Sequence, residues 1–242
     1  MNSFTYNGVS SAAMSIRIQS KTIYSAPKYD TTILTIPGRD GELYQPGGRF
    51  PNASVSYTCF VPAKSIAELS GKITAIKAWL YTQPDRYHVL SDTYDTQFFR
   101  KAVFNNKLDI QEQCNRIGVF TLNFSCYPFR YSNVGQVKQS HSSTFTLINP
   151  YPFNAKPYIR VNGQGSGNLT IQSGQSNRTW QFSSLDGYTE ADSEQMNFYH
   201  GEQSKNSTVV GDGFPILYPG ENVVSFDGEI ESVEIIPRWV CL

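Results

Sequence analysis

The sequence has little of what a reaction centre or a metal site requires. Its four cysteines, Cys59, Cys114, Cys126 and Cys241, lie far apart and form no Cys-x-x-Cys pair. That excludes a zinc ribbon or a dithiol redox motif and points to buried free thiols. The three histidines, His88, His141 and His200, are scattered, with no second His or Cys at metal-ligand spacing. No Gly-x-Ser-x-Gly elbow is present. No apolar run reaches about eighteen residues, and no charged segment followed by an apolar core opens the chain. Both absences argue against membrane insertion and for synthesis in the cytosol, so the five Asn-x-Ser/Thr triplets read as chance products of an Asn- and Ser-rich chain.

What is present is material for a β core. Aromatics make up 14% of the 242 residues and charged groups only 17%, a balance that argues against disorder and allows one large β domain or two ordinary ones. Net charge is formally zero, yet residues 1–140 carry 15 Lys+Arg against 9 Asp+Glu, and residues 141–242 carry 5 against 11. An asymmetry of +6 against −6 divides the chain and can steer partners or subunits.

Hydrophobic period makes the same division. SVSYTCFV (54–61) alternates as a half-buried strand. Ser65-x-x-Glu68 then offers a capping box. Behind it Ile66, Leu69, Ile73, Ile76 and Leu80 recur at three- and four-residue steps, which predicts one amphipathic helix over 65–81 lying on a sheet, with Trp79 in the core. RYHVLSD, QFFRKAVF and GVFTLNFSCYPF return to strand patterns, the last expected to stop at Pro128. SNVGQVKQSHSST (132–144) is polar and aperiodic and reads as a linker. Beyond it come only short strands, TFTLI, PYIRV, NLTI, TWQF, MNFY, NVVSF and SVEII, a spacing typical of a β-sandwich. The expected domains are therefore 1–140 and 141–242.

Two motifs invite a chemical reading and fail it. Asp92 with Asp95, and Asp192 with Glu194, are the nearest approach to a glycosidase carboxylate pair, but neighbouring acids in polar loops read as turn-forming or solvated. NGQGSGN (162–168) is Gly-rich after a strand, yet a strand and not a helix follows, so no helix N-terminus is available for a phosphate; a wide hairpin turn is expected.

Taken in order along the chain, several short pieces resemble the distal tail proteins of siphophages. They are Phe4-x-Tyr6-Asn7-Gly8, Ile36-Pro37-Gly38-Arg39-Asp40-Gly41, Ala78-Trp79-Leu80, Ser91-Asp92, Gly118-Val119-Phe120 and Phe124-Ser125-Cys126-Tyr127-Pro128. In the second half they are Asp192-Ser193-Glu194, Phe214-Pro215-Ile216-Leu217 and Pro219-Gly220-x-Asn222. The resemblance implies a mainly β protein with an N-terminal split-barrel or β-sandwich domain carrying one α-helix, and a C-terminal galectin-like β-sandwich. It implies a structural virion protein at the tail tip and not an enzyme, without cofactor or metal. The implied assembly is a homo-hexameric ring joining the tail tube protein to the tail-tip hub or fibre protein and a receptor-binding protein, with phage DNA passing through its channel. Some members carry inserted carbohydrate-binding modules, for which this chain has no segment of sufficient length.

Within that frame Pro37, Gly38, Arg39, Asp40, Gly41 and Glu42 are the candidate assembly loop. Pro37 sets its own φ, Gly38 and Gly41 permit positive φ, and the charged side chains are displayed between them. No apolar pocket residues accompany the loop, so a neighbouring subunit suits it better than a small molecule. Ring contacts are expected from the N-terminal half, with the acidic half outside. Two other classes compete. A carbohydrate-binding module contacting the host surface would stack sugars on Trp180, Tyr188 and Tyr199, and a nucleic-acid binder would use the basic half, although its Lys and Arg are dispersed singly.

Overall fold

The computed structural model describes residues 2–242 and is mainly β, with one α-helix among the described residues. It divides into two compact units: the chain up to Arg130 together with Leu242, and Tyr131–Cys241. The boundary expected at 140 therefore falls inside the second unit.

In the first unit the strands are β1 (Phe4–Tyr6), β2 (Val9–Ser10), β3 (Arg17–Thr22), β4 (Thr31–Leu34), β5 (Leu43–Pro46), β6 (Ala53–Pro62), β7 (His88–Asp92), β8 (Phe98–Val103), β9 (Gln111–Gln113) and β10 (Ile117–Ser132), with α1 (Ile66–Leu80) between β6 and β7. The main sheet runs β2-β1-β7-β8-β10-β6-β3, and β9 adds to β10. Val55, Tyr57, Cys59 and Val61 of β6 and Phe120, Leu122, Phe124 and Cys126 of β10 all point into one core, as period-2 alternation requires. β10 runs through Pro128 because its ladder with β6 ends at the Cys126↔Ala53 pair, so the missing proline N–H removes no bond to that strand.

The helix starts where its capping residues stand. Ser65 Oγ accepts from Glu68 N at 3.2 Å, and Glu68 reaches back one residue beyond a standard box to accept from Lys64 N at 2.8 Å. Leu69, Ile76, Trp79 and Leu80 are buried, whereas Ile66, expected on the same stripe, is exposed in the first turn. Trp79 packs on Phe4 and donates its indole N–H to Tyr6 O at 3.0 Å, a core residue with its polar atom satisfied. Burial pushes the Cys59 and Cys126 thiols up to about 12, which leaves them unreactive. Cys114 departs from the expected burial: it is exposed, with φ 54°, in the turn between β9 and β10.

The second unit holds a 3₁₀ turn (Val134–Gln136) and strands β11 (Gln139–His141), β12 (Phe145–Asn149), β13 (Tyr158–Ser173), β14 (Asn177–Asp192), β15 (Asn197–His200), β16 (Gln203–Ser204), β17 (Val209–Val210), β18 (Gly220–Phe226), β19 (Ile230–Ile236) and β20 (Val240–Cys241). The expected linker is thus ordered: β11 pairs with β19, His141 opposite Val233. One 3₁₀ turn and three strand residues are too short to impose a readable period.

Two 16-residue strands organise this unit. The first half of β13 pairs with β19 and its second half with β18, while β14 follows it along nearly its whole length. One hairpin therefore serves two ladders, β11-β19-β13-β14-β15-β16 and β12-β18-β13-β14-β17. The Gly-rich NGQGSGN stretch is not the expected hairpin turn. It is the crossover within β13, with register shifts after Asn162 and between Gly165 and Gly167. Small residues are needed because the β18–β19 turn lies against it: a Cβ on Gly163 would come 2.1 Å from Glu229 O, and one on Gly167 2.5 Å from Asp227 O. Backbone cannot retreat as a flexible side chain does, so Gly163→Ala is expected to destabilise the protein by about 1–3 kcal/mol. Gly174→Ala, which meets open space, is expected within about 0.5 kcal/mol of wild type in the same urea titration.

Candidate assembly surface

The six candidate loop residues lie at the tip of the β4–β5 hairpin, which forms a two-stranded sheet of its own. Gly38 and Gly41 have φ of 82° and 79°, and Arg39 N donates to Ile36 O at 3.1 Å to close the turn. Positive φ suits glycine alone among small residues, which is why two of them punctuate so short a stretch. Tyr44 donates to Glu42, two residues before it on the same side of the tip, at 3.3 Å.

The base of the hairpin is fixed. Arg49 Nε meets Asp30 Oδ2 at 2.8 Å, Gly47 N donates to Asp30 O at 2.7 Å, and Asp30 N to Arg49 O at 3.0 Å. Tyr29 packs edge-on against Phe50, and Phe50 against Phe129 of β10. Beyond this base every residue from Thr32 to Arg49 is exposed.

Register shows why that exposure is unusual. Ile33 pairs with Tyr44 on one face of the ribbon, and Leu34 with Leu43 on the other. Both faces are therefore apolar, and these four side chains with Ile36 remain between 40 and 61% exposed. A two-stranded ribbon without a third strand or a helix behind it is marginal in water, which makes this hairpin the candidate assembly surface. The sequence shows the turns within a strand-like stretch, but not that both faces of the ribbon stay exposed, because that depends on what the rest of the chain leaves uncovered.

The carboxylate pairs have structural roles. Asp92 Oδ1 accepts from Tyr94 N and Asp95 N, both at 2.9 Å, and its Oδ2 accepts from Tyr57 at 2.8 Å. Asp95 meets Arg130 at 2.8 Å. Asp192 Oδ1 accepts from Glu194 N and Gln195 N, and its two oxygens take the Arg238 fork at 2.8 and 3.0 Å. Both pairs are turn-forming, as expected, but Asp192 is buried and not solvated. Trp180 likewise leaves the sugar-stacking set: it is buried in the second core and donates to Gly213 O at 2.8 Å.

Burial raises the Asp192 carboxyl, but the Arg238 fork and the turn N–H groups outweigh it and hold the group below the ordinary aspartate range. A carboxyl whose folded value is depressed contributes stability in full above its unfolded value, about pH 4, and loses it as pH falls through the folded value. Asp192→Asn is expected to flatten the acid limb of the stability profile below about pH 4, measured by denaturant unfolding at stepped pH.

Fold and hairpin together define a two-unit β protein with an exposed two-stranded arm. Its fold is similar to that of a phage Dit protein. The chain shares its fold with the crystal structure of the SPP1 Dit protein, presented as a paradigm of the hub adsorption apparatus of phages infecting Gram-positive bacteria, with TM-score 0.75 and 15% identity over 97% of each chain. Structures of the phage p2 baseplate in its activated conformation, one with strontium and one with calcium, match with TM-scores of 0.49 and 0.47 at 6% identity, covering 98% and 97% of this chain and 97% of theirs. No family model and no curated protein matches the chain. Among the described residues no group of His, Cys, Asp or Glu is placed to hold a metal ion, and no helix is long and apolar enough to cross a membrane.

Proposed function

We propose that this protein is a structural subunit of a phage tail tip, a distal tail protein whose six copies form a ring between the tail tube and the adsorption apparatus, open to DNA through its channel. The observation that carries the reading is the SPP1 Dit fold, retained over 97% of the chain. The partners it implies are the tail tube protein, the tail-tip hub or fibre protein and a receptor-binding protein, all in the virion.

The β4–β5 arm is the ring contact in this reading, with Pro37, Gly38, Arg39, Asp40, Gly41 and Glu42 seated on a neighbouring copy. A second copy is the natural occupant because the arm is apolar on both faces and no apolar partner among the described residues covers it. The first unit carries the ring contacts, and the acidic second unit takes no part in them. Mass measurement in solution and negative-stain images test the assembly: a six-fold ring is expected, alone or once tube or tip proteins are added. A monomer that never joins either partner overturns the proposal.

A further inference from the structure

A cleft in the first unit has β10 as one wall and the segment that leads into β9 as the other. Val119, Thr121 and Asn123 alternate with Phe120, Leu122 and Phe124, which point into the core, so these three face outward. Opposite them stand Lys107, Asp109 and Gln111, and the space between the walls is about 340 Å³. That lies within the range of about 300–1,000 Å³ typical of clefts that hold a ligand.

The second wall is tied down along its length. Asn106 Nδ2 donates to Asn123 O at 2.8 Å, and the Tyr81 hydroxyl donates to Asn106 O at 2.6 Å. Leu108 and Ile110 pack against the first core, while Lys107 and Asp109 between them are exposed. β9 then pairs with β10, Gln111 opposite Val119, and joins the two walls. Lys107 Nζ and Asp109 Oδ1 meet at 3.0 Å, with side chains 83 and 70% exposed. A pair so open to water contributes little and exchanges readily for other partners. The lining thus offers one cation, one anion and neutral amide and hydroxyl groups.

Charge and shape select the occupant. The β4–β5 tip presents Arg39 and Asp40 side by side, exposed and without an ion pair among the described residues. Gly38 and Gly41 bracket them with φ of 82° and 79°, so the tip is a tight turn carrying one charge of each sign. The cleft carries the matching set. A copy's own arm leaves its own cleft open, since every residue from Thr32 to Arg49 is exposed. The arm base rests on Phe129, six residues along β10 from Asn123 and about 20 Å away. Arm and cleft are different surfaces of one copy, so a contact between them is heterologous, the kind that repeats around a ring.

We infer that the cleft between residues 107–111 and β10 is the seat of a neighbouring copy's arm tip, with Arg39 meeting Asp109 and Asp40 meeting Lys107. The inference rests on the ring reading above and adds the surface that the arm grips. The apolar ribbon behind the tip supplies most of the affinity, and the four charges set its register.

Two charge swaps on the full chain test it, and neither alters the net charge. Arg39→Asp with Asp40→Arg inverts the tip, and Lys107→Asp with Asp109→Lys inverts the cleft. Sedimentation velocity over a concentration series reads ring formation, with purified tube or tip protein added where the wild type needs it. Each swap alone is expected to raise the concentration at half assembly about tenfold, because like charges then face each other. The combination of both swaps restores attraction and is expected to return to within about threefold of wild type, the non-additivity that a direct contact produces. All four side chains are exposed, so melting temperatures should not change. A combination no better than the single swaps overturns the inference, and so do rings that form at wild-type concentration in both swaps; either result leaves the ring reading standing. If the cleft swap spares the ring but abolishes capture of purified tube protein, the cleft belongs to that partner and the seat is refuted. A wild-type chain that never forms a ring, with or without those partners, overturns the ring reading and the seat together.

Discussion

Replacing Arg238 by Ala is expected to destabilise the protein by about 3–5 kcal/mol, the cost of stranding a buried carboxylate. Asp192 is nearly inaccessible, its side chain 4% exposed, and among the described residues Arg238 is its cationic partner within hydrogen-bond reach. Removal of the guanidinium leaves Asp192 with two backbone donors, from Glu194 and Gln195, which hold the turn but do not neutralise the charge. Arg238 itself has φ 54°, a left-handed conformation that costs a side chain free energy and that the ion pair offsets. Burial lowers the Arg238 value, but the hydrogen bonds and charge of Asp192 reverse this and raise it above the ordinary arginine range. The double variant Asp192→Asn, Arg238→Ala should recover part of the loss, since the uncompensated charge is gone. Equilibrium urea unfolding of the three variants measures both effects. Additive losses would show that the two residues act separately.

Replacing Ile33 and Leu43 together by Ser is expected to abolish ring assembly while leaving the monomer folded. The two side chains stand on opposite faces of the arm, so the pair removes apolar surface from both. Full burial of such a side chain contributes about 1.5–3 kcal/mol. As each is already more than half covered, about 0.6–1.3 kcal/mol apiece remains to be gained on docking. Losing about 1.2–2.6 kcal/mol at each contact weakens it roughly 8- to 80-fold. A closed ring repeats that loss at every interface. Replacing Arg39 and Asp40 together should weaken assembly less, because exposed charges contribute little individually. Sedimentation velocity reads oligomeric state, and circular dichroism reads the fold. Rings that persist at wild-type concentration after the apolar double substitution would make the arm a mere connector.

The sequence by itself determined those elements whose causes are local. The Ser65–Glu68 cap and the Leu69–Ile76–Leu80 spacing specify α1 to within a residue or two, because capping and helical period act within a few positions. Alternation specifies β6 and the core face of β10 for the same reason. Asn7-Gly8, with φ of 48° and 77°, carries the two-residue hairpin signal of β1–β2 in plain view.

Tertiary structure decided everything that depends on partners far along the chain. Gly163 reads as a turn residue until the β18–β19 turn, Glu229 included, is packed against it. Asp192 reads as a solvated loop acid until Arg238, 46 residues on, reaches it. The TIPGRDGELY stretch shows its turns locally, but that both faces of the flanking ribbon stand apolar in solvent depends on no other strand covering them. Lys107, Asp109 and Asn123 carry no motif in sequence, since only the pairing of β9 with β10 sets them on two walls of one cleft. Local physics selects an element; the register and contacts between distant elements select what its side chains meet.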